Sequence, residues 1–380
     1  MNSGLLLMSD LVKIEFSAIK VGKPLPWPVF DGTGQMLLKK GYCIDSESQI
    51  ESLIERGVYR TGSSTIDEVK SVKYQVVSPF CELGSMAEML KKAFKDLFDE
   101  KSSAIGKLNI VCERINEICK HDPDACIASI HLYSKDPSAE EYALYYAILC
   151  AIMAPKLGFS DTQNKQLIIA ALTANVALQP YLDKLNTFKC QLTDKQRTLV
   201  RQHPEQSIKI LAKAGINDEE LFNIIIQHHE KVDGTGYPKE VSETDLLQQS
   251  KLLSVCEHYV ALVSKRAYRE TSKTNEALRE VYRRASKDTT ETLYLTFIKT
   301  LSVYPPGTFV RLSNNEVAVI TKRPSNESGY QMKAILSPRG GPYAGCFSRD
   351  SSLADHKIEE TVQPDSIPSL NLAELWGYLQ

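Results

Sequence analysis

Apolar positions recur every three to four residues from about residue 85 to residue 303, a spacing that predicts helix after helix. Met86, Met89, Leu90, Ala93, Phe94 and Leu97 form one apolar stripe, and Ile110, Ile115 and Ile118 form another. Further helices are expected over 124–134, 139–157, 163–178, 194–213, 218–229, 243–264, 274–285 and 290–302. Thr193 with Gln196 is a capping-box start, and Gly215 follows a helix end. Pro305-Pro306-Gly307 marks a change of period. Beyond it, 308–312, 316–321 and 330–336 alternate as strands, and an amphipathic segment spans Leu370 to Leu379.

The pattern before residue 85 is different. Ile14 to Ile19 and Gln35 to Leu38 read as short strands, with Asp31-Gly32-Thr33-Gly34 as a turn. Ser46 to Gln49 is a capping box opening a short helix with Ile50, Leu53 and Ile54 on one face, stopped by Gly57. The expected organisation is therefore mainly α. A small α+β module at 11–60 and a linker at 61–84 precede an all-helical domain at 85–303. A β tail with a terminal helix follows at 304–380.

Composition adds exclusions. The 380 residues are 43% apolar and 24% charged, as in an ordinary globular protein, and the formal net charge is −2. No overall basic field attracts nucleic acid or anionic lipid. The nine cysteines form no C-x-x-C pair, which suits a reducing cytoplasm. No apolar run reaches the roughly 18 residues of a membrane span, and Leu5 to Met8 is too short for a signal sequence.

The densest chemistry is His228-His229-Glu230-Lys231-Val232-Asp233-Gly234-Thr235-Gly236-Tyr237-Pro238, placed after the apolar run Leu221 to Ile226. Adjacent imidazoles at a helix end can reach one metal, and the two glycines permit a sharp turn or a close backbone approach. The bland reading is that the histidines cap a helix C-terminus. On the same footing, Glu230 is a solvated acid and Asp233 a turn former. His121-Asp122 sits in a helix-breaking stretch and reads as a loop.

This eleven-residue run resembles the signature of the HD-GYP family, H-H-E-x-x-D-G-x-G-Y-P, within the HD phosphohydrolase superfamily. The resemblance extends to Leu192-Thr193-Asp194 with His203-Pro204, and to Leu252 through Arg269 with Glu257, Tyr259, Arg266, Tyr268 and Arg269. The 14–60 module and the Thr308–Ile320 tail also resemble regions that accompany such domains. The resemblance implies a helical domain acting on cyclic di-GMP at a two- or three-metal centre. It implies His203, His228, His229 and Glu257 as metal ligands, and Tyr237, Arg266 and Arg269 as ligand-binding residues. It further implies a loop at Gly236, Tyr237 and Pro238 that meets GGDEF-domain or PilZ-type proteins.

The chain departs from the family pattern on one side. Where the family carries L-L-H-D-I-G-K, this chain has Leu172-Thr173-Ala174-Asn175-Val176-Ala177, so Thr173 and Ala174 replace the His-Asp pair and Ala177 the lysine. Tyr142 stands where an earlier histidine ligand is expected, and Glu257 where the late ligand is an aspartate. Alanine cannot coordinate, and threonine is a poor partner for iron, manganese or zinc. Phosphodiester cleavage of this class uses two cations, one for the nucleophile and one for the developing charge. The expected cofactor is thus none, or a single divalent transition metal. Three functions stay open: a cyclic di-GMP receptor or protein-interaction module with little or no hydrolysis, a divergent metal-dependent phosphodiesterase, and an adaptor with a closed pocket.

Overall fold

The computed structural model describes residues 11–13, 25, 27–31, 36–39, 42, 59–61, 78–181, 193–241, 245–264, 272–285, 291–363 and 370–378. The chain divides into two compact units, Met1–Val76 and Val77–Gln380. In the first, strands β1 (Leu11–Lys13), β2 (Val29–Phe30), β3 (Met36–Leu38) and β4 (Tyr59–Thr61) make a sheet of order β1-β4-β2-β3, with Leu25, Val29 and Phe30 buried. The expected strand at Ile14–Ile19, the glycines of the 31–34 turn and the capping-box helix near Ser46 lie outside the described residues.

The second unit is mainly helical. Helix α1 runs Pro79–Phe98, beginning inside the stretch read as linker. Proline is at home in a first helical turn, and Phe80 and Leu83 are already buried there. Then come α2 (Ser103–His121), α3 (Pro123–Leu132), α4 (Ala139–Met153) and α5 (Asp161–Thr173). They are followed by α6 (Asp194–Lys213), α7 (Glu219–Gln227), α8 (Gln248–Val263), α9 (Thr274–Ala285) and α10 (Glu291–Leu301). Helix α4 is buried on nearly every side and forms the axis against which α1, α2, α5 and α8 pack. The Thr193–Gln196 capping box is present, as are two more at Ser138–Glu141 and Ser160–Gln163. Gly215 takes φ +87° just past the end of α6.

Three boundaries differ from the periodicity. The helix expected over 163–178 stops at Thr173, and Val176–Tyr181 continues as a 3-10 turn that admits Pro180. Pro155 likewise converts the end of the 139–157 segment into a 3-10 turn. His121-Asp122 is a helix junction rather than a loop: Asp122 accepts a hydrogen bond from the Ala125 amide and so caps α3.

After α10 an antiparallel sheet follows with order β8-β7-β6-β5-β9. Strands β5 (Phe309–Leu312), β6 (Val317–Lys322) and β7 (Gln331–Leu336) are those expected. The edge strands β8 (Pro342–Asp350) and β9 (Ile358–Thr361) are additional, and a short helix α11 (Leu372–Leu375) closes the tail. The sheet rests on α3: a Cβ on Gly307 would come within 3.1 Å of Ala128 and His131. The His131 ring donates from Nδ1 to the Pro306 carbonyl at 2.7 Å, and its Nε2 receives the Tyr259 hydroxyl at 2.9 Å.

Candidate metal centre and ligand loop

His203 lies on the buried stripe of α6 with Ser207 and Leu211 at four-residue intervals, which turns its ring into the protein. Its Nδ1 meets the Val200 carbonyl at 2.6 Å. His228 caps α7 and places Nδ1 2.6 Å from the Ile225 carbonyl. A carbonyl only accepts, so both Nδ1 atoms carry the proton and both Nε2 atoms carry lone pairs. Those two Nε2 atoms face each other at 3.2 Å. Two lone pairs at that distance repel unless a cation lies between or beside them, and an anchored Nδ1–H with a free Nε2 is how a metal-binding imidazole is held.

His229 completes the cluster. Its ring lies 4.0 Å from that of His228 and 5.0 Å from that of His203, and one ligand atom from each of the three falls within 4.8 Å of the others. Burial pushes His203 down to about 3, with the neighbouring His228 adding to the effect. Burial also brings His228 to about 4 and holds His229 well below the ordinary histidine range. All three are neutral at neutral pH, the form that binds metals. The Glu257 carboxylate on α8 approaches from the side, with Oε2 3.8 Å from His228 Nε2 and 3.9 Å from His229 Nε2. Its other oxygen accepts a 2.6 Å hydrogen bond from the Asn175 amide.

The residues after His229 fold back to carry Tyr237. Asp233 accepts from the amide and the hydroxyl of Thr235, and Gly234 takes φ +71°. Gly236 is required by contact: a Cβ there would sit 2.4 Å from Glu230 Cα. Glu230 is buried and not solvated as the sequence suggested, because its Oε1 closes the loop by accepting from the Lys239 and Glu240 amides at 2.6 and 3.1 Å. Tyr237 thereby stacks on His229, with ring centroids 4.8 Å apart. Gly236 is buried and Tyr237 and Pro238 half-buried, so the outward face of the loop is Lys231, Asp233, Thr235, Lys239 and Glu240.

The α5 side is arranged differently. The Thr173 hydroxyl donates to the Ile169 carbonyl of its own helix at 2.7 Å. Ala174 is buried, and its carbonyl accepts from Ser207 Oγ, which itself accepts from the Ala177 amide. Tyr142 is buried on α4 and stacks with Tyr146. Arg266 and Arg269 lie outside the described residues.

Two residues join the site that pattern reading did not single out. Asn175 holds Glu257. Arg201, two positions before His203, sets its guanidinium 5.2 Å from the centre of the Tyr237 ring and 3.6 Å from Glu240. A weak local signal exists for Arg201, since it shares a helix with His203. None exists for Asn175.

A family model described as an HD domain matches residues 127–290. The chain is 24% identical over 277 residues to cyclic di-GMP phosphodiesterase PA4108 of Pseudomonas aeruginosa, covering 71% of this chain and 63% of that protein. It is 23% identical over 225 residues to cyclic di-GMP phosphodiesterase PdeB of Borreliella burgdorferi, covering 59% and 56%. The chain thus spans less than two thirds of the length of these relatives. In fold it is similar to Bd1817, an HDG"Y"P protein from Bdellovibrio bacteriovorus, with a TM-score of 0.51, 16% identity, and 77% of this chain and 99% of that one covered. HD domains are metal-dependent, and the three converging imidazoles fit that requirement. The HD domain, the histidine cluster, the Gly-Tyr-Pro loop and the likeness to cyclic di-GMP phosphodiesterases together support assigning the chain to the HD-GYP family.

Proposed function

We propose that this chain acts in cyclic di-GMP signalling as a nucleotide receptor or protein-interaction module with little or no hydrolysis. The observation that carries this reading is the state of the α5 helix end. Thr173 uses its hydroxyl on its own backbone, Ala174 offers only a methyl group, and Ser207 satisfies the backbone beside them. Among the described residues, the donors left for a metal are His203, His228 and His229, with Glu257 beside them under the hold of Asn175. That set suits one divalent ion such as iron, manganese or zinc, and lacks the carboxylate that would bridge to a second. When bound, the metal supplies positive charge that attracts and polarises a phosphate oxygen. Tyr237, held flat on His229, presents an aromatic face for a guanine, and Arg201 brings a cation to the same loop where Ala177 has none. Arg266 and Arg269 add phosphate-binding capacity in this reading. The GGDEF-domain or PilZ-type partner belongs to the exposed rim of the loop.

The alternative is a divergent phosphodiesterase working at a single metal. The facing Nε2 atoms at 3.2 Å favour it, since such preorganisation is what a bound metal needs. Calorimetric titration of the purified chain with cyclic di-GMP, followed by chromatography for linear dinucleotide or GMP, separates the two. Saturable binding without product is expected. Sustained turnover with manganese, iron or zinc would replace the receptor by the hydrolase. Neither binding nor turnover would leave the interaction module, tested by co-purification with GGDEF-domain and PilZ-type proteins.

A further inference from the structure

Away from the histidine cluster, the outer face of α1 carries Lys91, Lys92 and Lys95 within a single turn and a half. With the rings of Phe94 and Phe98, and with Gln179 of the Val176–Tyr181 turn opposite, they enclose an open groove of about 370 Å³. That is the lower end of the ~300–1,000 Å³ typical of small-molecule sites.

The neighbouring lysines show what is unusual here. Lys101 pairs with Asp99 at 2.8 Å, Lys107 with Asp96 at 2.7 Å and Lys213 with Glu100 at 2.7 Å. Among the described residues no acid pairs with any of the three groove lysines, although Glu88 stands three and four positions before two of them. Like charges at three- and four-residue spacing destabilise a helix, and an anion shared between them relieves that repulsion. Among the described residues the one acid lining the groove is Glu88, and the Gln179 amide donates to Glu140, which is not part of the lining, at 3.4 Å. A chain of net charge −2 therefore gathers three unpaired cations on one wall.

The apolar component narrows the ligand. Phe98 is 41% exposed at the end of the groove, over the buried Phe94 one turn earlier. An exposed aromatic face next to clustered cations suits a planar base joined to phosphates. Gln179 adds an amide able to donate to or accept from a base edge.

We propose that this groove is a nucleotide-binding site separate from the metal centre, with phosphates on Lys91, Lys92 and Lys95 and the base against Phe98. The test is calorimetric titration of the full chain with GTP and with ATP, using inorganic triphosphate as the base-free control. The Lys91→Gln/Lys95→Gln variant, the Phe98→Ala variant and a Tyr237→Ala variant are titrated in parallel. Saturable nucleotide binding is expected, weakened at least tenfold by the double lysine change and several-fold by Phe98→Ala. Binding unchanged in Tyr237→Ala would keep it apart from the histidine site. The proposal fails if neither nucleotide saturates, or if the double lysine variant binds as well as the parent. It also fails if triphosphate binds as tightly as GTP and ATP, which would make the groove a plain anion site. Binding to phosphatidylserine vesicles with none to nucleotide would reassign the lysines to a membrane surface.

Discussion

On the α6–α7 side of the candidate site, His203 and His228 each spend one ring nitrogen on a backbone carbonyl three residues back and leave the other facing inward. On the α5 side, Thr173 also hydrogen-bonds a backbone carbonyl, four residues back, and that bond turns its short side chain onto its own helix. The two helix ends touch through Ser207, one turn beyond His203, which reaches the Ala174 carbonyl. In the function proposed above, this contrast is one face of a metal site closed and the other kept organised. Imidazole is bifunctional, so anchoring and ligation coexist. A threonine hydroxyl keeps its lone pairs while it donates but is a far weaker ligand for these metals than imidazole, and alanine offers no ligand atom at all. Asn175 then supplies what the packed side still gives to the site, an amide that fixes Glu257.

The largest effect is expected from attacking the organised side. His203→Ala removes a proposed ligand itself, so metal affinity should fall by more than the ~10–100-fold that losing an outer-shell partner costs, read by competition with a chromogenic chelator. The converse change sharpens the contrast: Thr173→His with Ala174→Asp should raise metal content by one ion per chain. No gain would mean that the α5 side is closed by more than those two side chains. Gly236→Ala should cost about 2–3 kcal/mol, because the new methyl collides with the Glu230 backbone; denaturant unfolding measures the loss. The same variant should weaken cyclic di-GMP binding by freeing Tyr237 from His229.

A pH effect follows from the buried histidines, and His131 isolates it from the metal site. Burial brings His131 down to about 4, against an ordinary value near 6.5. The folded state therefore refuses a proton that the unfolded chain accepts. Its stability contribution is complete above pH ~6.5 and is lost as the pH falls toward 4, amounting to about 2 kcal/mol at pH 5. Thermal unfolding of the metal-free protein should show this decline, and His131→Leu should flatten part of it. The smallest expected change is Asn175→Leu, which frees Glu257 and lowers metal affinity about tenfold.

Much of this is legible in the sequence. The helices follow from apolar periodicity, and His203, His228 and His229 from motifs in which the chemistry is contiguous or nearly so. Proline explains the boundaries that moved, at Pro155 and Pro180. The missed strands β8 and β9 are sheet edges, where one neighbour and an exposed face weaken the alternation. Asn175 could not be found locally, since its amide meets a carboxylate 82 residues away. Glu230 differs from its expected solvated state for the opposite reason: an acid in a polar loop looks solvated until the loop closes over it. The expected strand Ile14–Ile19 and the arginines 266 and 269 fall outside the described residues.

Metal stoichiometry is the most direct test of the contrast between the two sides. Plasma mass spectrometry of the purified full chain, reconstituted separately with iron, manganese and zinc, should find no more than one ion per chain. That ion should be lost in His203→Ala and His228→Ala alike. Two ions per chain in the unaltered protein would contradict the closed α5 side and return the chain to ordinary two-metal hydrolysis.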